Sequence, residues 1–374
     1  MRVLIASHYL AAMGGVQSSE RDLALWLLAR GHSPVVYATH LGDAAREFLQ
    51  RTIPVIDDLD NVTAPIDIIH GDSPIETMAA LLRFPNVPAI FVCHGWGGIE
   101  RSTPRFPRIL RYVAVDDTCA DRLMLREGVE LERLSVLLNA VDLATFAQRA
   151  PLPPRPRRAV AFSNTAHELT FLPAIREACR RASIELDVLG AYSGNTSLDP
   201  QSILGQYDLA FAKAKCALEA MASGLAVILC DVPGLGGLVR SADVDRLRRL
   251  NFGIRTLNQP LTVESLLAEL ALYDPNDARA VSDRIRQTAA SDFLHQSLFE
   301  LYESVIEEHA RNGANGDVHA EERAAAAFLH QLAVDIRSRD GRMLRVTSAS
   351  HRILQTPVVG PMASRVLRWL MRRR

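Results

Sequence analysis

Residues 208–230 read DLAFAKAKCALEAMASGLAVILC. The apolar run at 208–212 predicts a strand, a break with two lysines follows, residues 216–223 suit a helix, and 225–230 form a second apolar strand. Two strands joined through a helix lie parallel, because the crossover returns the chain to the same end of the sheet. The alternation continues on both sides of this unit. Strands are predicted at 159–163 and 185–189, with a helix from Glu168 to Ala182 and a short one near 201–206. Further upstream they are predicted at 2–6, 34–38, 66–70, 88–93, 111–115 and 134–138. Helical spacing covers Ser18–Arg30, Ile75–Arg83 and Asp117–Glu127. The class is therefore α/β with crossover helices, not a sandwich or a barrel.

Residues 147–158 concentrate four prolines and four arginines, a composition that forms neither helix nor central strand. The expected organisation is a domain at 1–146, a linker at 147–158, a second domain of similar plan at 159–310, and a helical, basic extension at 318–374. The end of the second domain, 262–310, reads as all helix, NGANGD at 312–317 as a flexible break, and 318–335 as a strong helix. The length of 374 residues suits two domains, and 48% hydrophobic with 23% charged residues suits a folded chain. A formal net charge of −1 argues against an overall footprint for nucleic acid. Cys93, Cys119, Cys179, Cys216 and Cys230 are odd in number and lack a Cys-x-x-Cys pair, which points to a reducing cytoplasm and away from zinc or disulfide scaffolds. The opening apolar run is too short for a signal peptide, and no stretch reaches the ~18–20 apolar residues of a membrane span.

Four places could carry chemistry. In the loop after the first strand, Gly14 and Gly15 precede a helix, so backbone amides there can meet an anion or a sugar hydroxyl; the G-x-G-x-x-G of a dinucleotide fold is absent. Cys93-His94-Gly95-Trp96-Gly97-Gly98 puts an imidazole in a glycine-rich loop at a strand's carboxyl end, where open α/β sheets bind ligands. Of 42 basic side chains only Lys213 and Lys215 are lysines, and both stand in one loop where compact ammonium groups suit a phosphate. Glu219 can accept hydrogen bonds from vicinal ribose hydroxyls, and Gly234, Gly236 and Gly237 are expected ahead of a helical turn, offering amides to a pyrophosphate.

Gly14 and Gly15, His94, Asn139-Ala140-Val141-Asp142 and Glu219-Ala220-Met221-Ala222-Ser223-Gly224 together resemble glycosyltransferase family 4, retaining enzymes of the GT-B fold. The resemblance spans about residues 1–310. It implies two Rossmann-like domains facing each other across a cleft, acceptor contacts from the first and a nucleotide sugar on the second, with His94 near the sugar hydroxyls. Two departures stand out. The family's Glu eight positions before Glu219 is Phe211, and its Gly-Arg and Lys-Gly pair is replaced by Ser163-Asn164-Thr165-Ala166-His167-Glu168. Lys213 and Lys215 are expected to supply the missing charge at the diphosphate, with Asn164 among the donor-binding residues.

The expected activity is transfer of a sugar from a nucleoside-diphosphate sugar to an acceptor hydroxyl, with His94 and Lys213 catalytic, in surface polysaccharide or glycolipid assembly. No metal is expected, because Asp57-Asp58 and Asp116-Asp117 lack ligand partners. A nucleotide-sugar 2-epimerase of the same fold is the alternative, but the sequence places no carboxylate acid/base pair for it; a catalytically degenerate scaffold would account for Phe211. After Asp340 eight arginines and no acid leave −9 for residues 1–340. Residues 363–374 interleave arginines with Val366, Leu367, Trp369, Leu370 and Met371, a composition suited to the surface of an anionic membrane and to lipid-linked acceptors. The expected location is the cytoplasm, peripheral at the inner face of the cell membrane.

Overall fold

The computed structural model describes residues 1–96, 103–190, 200–312 and 317–354. Its first sheet has seven parallel strands, β1 Arg2–Ala6, β2 Ser33–Tyr37, β3 Val55–Ile56, β4 Ile68–Gly71, β5 Ala89–Cys93, β6 Ile109–Ala114 and β7 Leu134–Val136, in the order β3-β2-β1-β4-β5-β6-β7. The helices of this half are α1 Gly15–Ala29, α2 Asp43–Gln50, α3 Pro74–Arg83 and α4 Asp117–Asp121. Strand order reverses between β1 and β4, so the loops after those two strands diverge and leave a crevice at their carboxyl ends.

The second sheet holds β8 Arg158–Phe162, β9 Glu185–Leu189, β10 Leu209–Ala212, β11 Ala226–Asp231 and β12 Gly234–Leu238, in the order β12-β11-β10-β8-β9. Its helices are α5 Leu172–Arg181, α6 Gln201–Leu204, α7 Ala214–Ala222, α8 Val244–Arg249, α9 Val263–Leu270 and α10 Pro275–Thr288. β10 shows why its strand lacks polar alternation. Leu209 and Phe211 pack in the core under α5 and α9, while Ala210 and Ala212 pack in the core under α7 and α10. With both faces covered, every position must be apolar.

The structure differs from the sequence reading at several elements, among them the helices α2 and α8, which it did not place. β3 is only two residues long, too short to show as a periodic run. The glycine-rich segment 234–237 is not a loop before a helical turn: it is β12, antiparallel to β11 and bonded to Gln259 through Leu235. α11, Ser291–Asn312, leaves the second domain, where the sequence reading placed it, and packs against the first. There Tyr302 reaches His70, Glu308 pairs with Arg111 at 2.6 Å, and His309 bonds the Asn86 carbonyl.

Asp317–Arg374 is a separate unit, in which α12, Val318–Leu354, runs well past the expected end at residue 335. Most of the expected break at 312–317 and the basic stretch 363–374 lie outside the described residues. Among the described residues no helix is long and apolar enough to cross a membrane.

One glycine shapes the carboxyl edge of the second sheet. Gly190 follows β9 at φ +155°, and a Cβ there would stand 2.0 Å from the backbone oxygen of Ser163. Gly190→Ala should therefore lose about 3 kcal/mol or more through combined overpacking and backbone strain. Gly31→Ala, also at positive φ (+77°) but with nothing within 4 Å, should lose only about 1 kcal/mol. Denaturant unfolding of both variants checks the difference; equal losses would mean that the contact at Ser163 is unimportant.

Candidate functional site

The first turns of α1 and α7 meet between the two sheets. A Cβ on Gly15 would lie 3.6 Å from the Lys215 Cβ, ordinary van der Waals contact, so the two turns touch here. Neither helix has a side-chain cap or an acidic residue in its first turn. Their leading N–H groups and positive ends are therefore not neutralised locally. Around this junction Gly14, Gly15, Asn164, Lys215 and Glu219 line one recess of about 110 Å³.

Lys215 is nearly buried and reaches across to α1. Its Nζ donates to Ser19 Oγ at 3.0 Å and lies 3.5 Å from Asp22 Oδ2. Asp22 is shared with Arg21 at 2.8 Å. One turn further along α7, Glu219 is 7% exposed. Burial pushes its carboxyl up to about 7; Lys215 opposes that rise and Asp22 reinforces it.

The two lysines do not act on the same space. Ala214 between them has φ +50°, a left-handed conformation unusual for a residue with a Cβ, and their side chains diverge. Lys213 Nζ lies 2.6 Å from Oδ2 of Asp231 at the end of β11, outside the recess that Lys215 lines. Asp231 Oδ1 also accepts from Thr165 Oγ1 and the Val232 amide, both at 2.6 Å. Each lysine thus has a carboxylate partner, and the expected pair of free cations becomes one nearly buried cation in the recess and one held at a strand end.

Gly234, Gly236 and Gly237 stand apart from the recess because they belong to β12. A Cβ on Gly236 would come within 2.8 Å of the Thr256 oxygen, and one on Gly237 within 3.2 Å of Glu269 Oε2, so close packing explains these glycines. Phe211 is fully buried in the core, which removes any carboxylate from that position. Asn139 lines a small cavity of about 40 Å³ between the domains. Asp142 caps the following turn through the amides of Ala144 and Thr145.

His94 follows β5 and lines a second recess, of about 470 Å³, with His8, Tyr9, Ser73, Cys93 and Arg122. Its Nε2 is 2.7 Å from Asp72 Oδ1. The small cavity lined by Asn139 is also lined by His94, Asp72 and Lys215, so the two recesses adjoin through it. Sequence reasoning missed Asp72, His70, Glu20, Asp22 and Asp231. His70-Gly71-Asp72 at the end of β4 was the available signal, because an imidazole and a carboxylate at a strand's carboxyl end can both face the crevice. Three further contacts bridge the domains: Arg249 Nε to Asp117 at 3.0 Å, Arg255 to Asp121, and Arg255 over the Trp96 ring at 5.2 Å.

Residues 13–145 match the model of the family described as Glycosyltransferase Family 4. No curated protein matches the chain. Among solved structures, a glycosyltransferase from Rickettsia africae aligns at 15% identity and TM-score 0.58, covering 82% of this chain and 98% of its own. HepE from Anabaena, solved with UDP and glucose, aligns at 13% identity and TM-score 0.59, covering 81% and 100%. Sucrose-phosphate synthase from Thermosynechococcus elongatus aligns at 12% identity and TM-score 0.57, covering 82% and 99%. The fold is GT-B, with two Rossmann-like domains, and the resemblance to family 4 read from the sequence stands over the first of them.

Glu219 carries a pH signature. Its raised pKa means that the folded state favours the neutral acid, so its contribution to stability is full below about pH 4.5 and is lost as pH rises through about 7. Glu219→Gln should therefore gain stability over the parent at pH 8 by up to about 3 kcal/mol and gain little at pH 4.5. Thermal unfolding at the two pH values measures this; an equal difference at both would rule out a neutral Glu219.

Proposed function

We propose that this chain transfers a glycosyl group from a nucleoside-diphosphate sugar to an acceptor hydroxyl. The observation that carries the reading is the convergence of Lys215, Glu219, Gly14 and Gly15 on one recess where two uncapped helix N-termini meet. Helix N-termini and an ammonium group favour anions, and Glu219 stands where ribose or sugar hydroxyls can donate to it. The family match over the first domain and the GT-B fold support glycosyl transfer in general. HepE, which has that fold, was solved with UDP and glucose.

In this reading negative charge grows on the leaving diphosphate as the anomeric bond breaks, and the helix ends with Lys215 stabilise it more in the transition state than in the ground state. Lys213, which follows β10 and is held by Asp231 at the end of β11, stands outside the recess and adds positive charge only from a distance, and Asn164 contributes a polar contact. No metal takes part in this reading. Closure of the domains aligns the acceptor and excludes water. The acceptor is a glycan or lipid-linked glycan used in surface polysaccharide or glycolipid assembly, and residues 363–374 rest on the anionic inner face of the cell membrane.

Calorimetric titration with UDP, GDP and CDP tests the site directly. One of them should bind, with affinity unchanged by EDTA, and Lys215→Ala should weaken it about tenfold or more. Lys213→Ala should weaken it less, and Arg176→Ala, at an exposed ion pair, should have no effect. Absence of nucleotide binding would remove the transferase reading and favour a scaffold. Truncation after Asp340 should release the protein from phosphatidylglycerol vesicles without changing nucleotide affinity; undiminished vesicle binding would dispose of the membrane contact.

A further inference from the structure

Two of the five cysteines meet at the wall of the recess lined by His94. Cys93 is the last residue of β5, Cys119 lies in α4, and their side chains are hydrogen-bond partners. Cys93 is 3% exposed and lines the recess, whereas Cys119 is 1% exposed and does not.

Arg122, the residue after α4, is buried and turns its guanidinium toward this pair. Its Nη1 lies 3.7 Å from Cys93 Sγ and donates to the Gly95 carbonyl at 2.6 Å. Cys93 Sγ is itself 3.6 Å from that carbonyl, but the guanidinium already serves it, so the carbonyl does not need the thiol proton. Arg122 Nε has no hydrogen-bond partner among the described residues, and Glu127, the carboxylate paired with it, stands off at 3.5 Å. Most of the guanidinium's field therefore falls on the sulfur. His94 and Asp72 share the recess wall, and Asp116 faces Cys119 from the start of α4.

This arrangement sorts the two thiols. An S–H donor and a guanidinium beside one sulfur favour its thiolate, while burial disfavours it. At Cys93 the hydrogen bond from Cys119, with Arg122 adding to it, outweighs burial and brings the thiol down to about 7. Cys119 is pushed the other way by that same bond, by burial and by Asp116, and stays a thiol. The other three behave as buried cysteines do: burial raises Cys179 to about 12, and it raises Cys216 and Cys230 as well. One nucleophilic sulfur at a recess, backed by one protonated sulfur, is the composition of a dithiol that peroxide oxidises.

We propose that Cys93 and Cys119 form a modification site, a dithiol that a peroxide entering the recess converts to a disulfide. The proposal goes beyond the transferase reading and stands without it. In the first step the Cys93 thiolate attacks one peroxide oxygen and the O–O bond breaks. The sulfur is oxidised to a sulfenic acid, and the other oxygen leaves as hydroxide, which solvent protonates to water. The Cys119 sulfur then attacks the Cys93 sulfur, its proton goes to the departing oxygen, the S–O bond breaks and a second water leaves. Two thiols and one peroxide become one disulfide and two waters, and a dithiol reductant reverses the change by exchange.

Closing the bond brings the sulfurs to about 2.05 Å. It ties the end of β5, which His94 follows, to α4, whose Asp117 and Asp121 hold Arg249 and Arg255 of the second domain. In a reducing compartment a disulfide of this kind is transient and senses oxidant rather than stapling the fold.

Peptide mapping of the full chain tests the site. The native protein is treated with hydrogen peroxide, the remaining thiols are alkylated after unfolding, and the digest is analysed by mass. A peptide linking Cys93 to Cys119, two hydrogens lighter than its parts and lost after dithiothreitol, should dominate, with Cys179, Cys216 and Cys230 alkylated. Cys119→Ser should leave Cys93 as a sulfenic acid that dimedone captures, Cys93→Ser should leave Cys119 alkylated, and Arg122→Gln should slow oxidation of Cys93 about tenfold. Oxidation spread evenly over the five cysteines, a link from Cys93 to any other cysteine, or a sulfenic acid on Cys119 in Cys93→Ser overturns the proposal. So does a Cys93 that stays a thiol under peroxide that oxidises free glutathione. The map of the parent chain decides even if a variant fails to fold, and lack of nucleotide binding would remove the transferase reading without touching this result.

Discussion

Lys215 joins the two halves of this protein at their most sensitive point. It leaves the first turn of α7 in the second domain, passes Gly15 at the start of α1 in the first, and ends on Ser19 and Asp22. A nearly buried ammonium must have such partners, because an unpaired one would carry a desolvation cost of several kcal/mol. The same contact aims two helix N-termini at one space and sets the field around Glu219. Recess, cation and carboxyl are thus consequences of one crossing between domains.

Charge in the site is arranged in local pairs. Lys213 is matched by Asp231, Lys215 by Asp22, and Asp72 by two imidazoles. Such pairing lets ionised groups stay in a partly desolvated cleft before any ligand arrives, and it pre-orients them, which is the condition for electrostatic stabilisation without reorganisation. α11 contributes from a distance. By returning to the first domain it brings the Tyr302 hydroxyl to His70, so the last helix of this compact unit supplies a polar partner beneath the crevice.

Much of the plan was legible because periodicity survives without neighbours. β10 reads as a buried strand from Leu209–Ala212 alone, and the helical spacing of α1 and α3 is plain in their apolar residues. Gly15, Lys215 and Glu219 could be singled out by residue type and by their place at strand ends. Asp72 could not: one aspartate after a short strand carries no periodic signal, and its importance comes from His94, 22 residues on, and from Tyr302, 230 residues on. The glycines of β12 misled for a related reason. Glycine marks both tight turns and close backbone packing, and only the neighbours Thr256 and Glu269 tell these apart.

The amino-acid order by itself determined the α/β class, the two alternating blocks with a proline-rich junction, and a short list of residues able to meet a phosphate or a sugar. These follow from interactions within a few residues of chain, where backbone geometry and side-chain spacing act directly. The tertiary structure alone decided that Lys213 and Lys215 part company, that Phe211 is core, that β12 is a strand, and that Asp72 links two histidines. Each depends on which distant groups share a space sealed from water, and there the energy of a charge or a cavity is set by neighbours that the linear order does not place side by side.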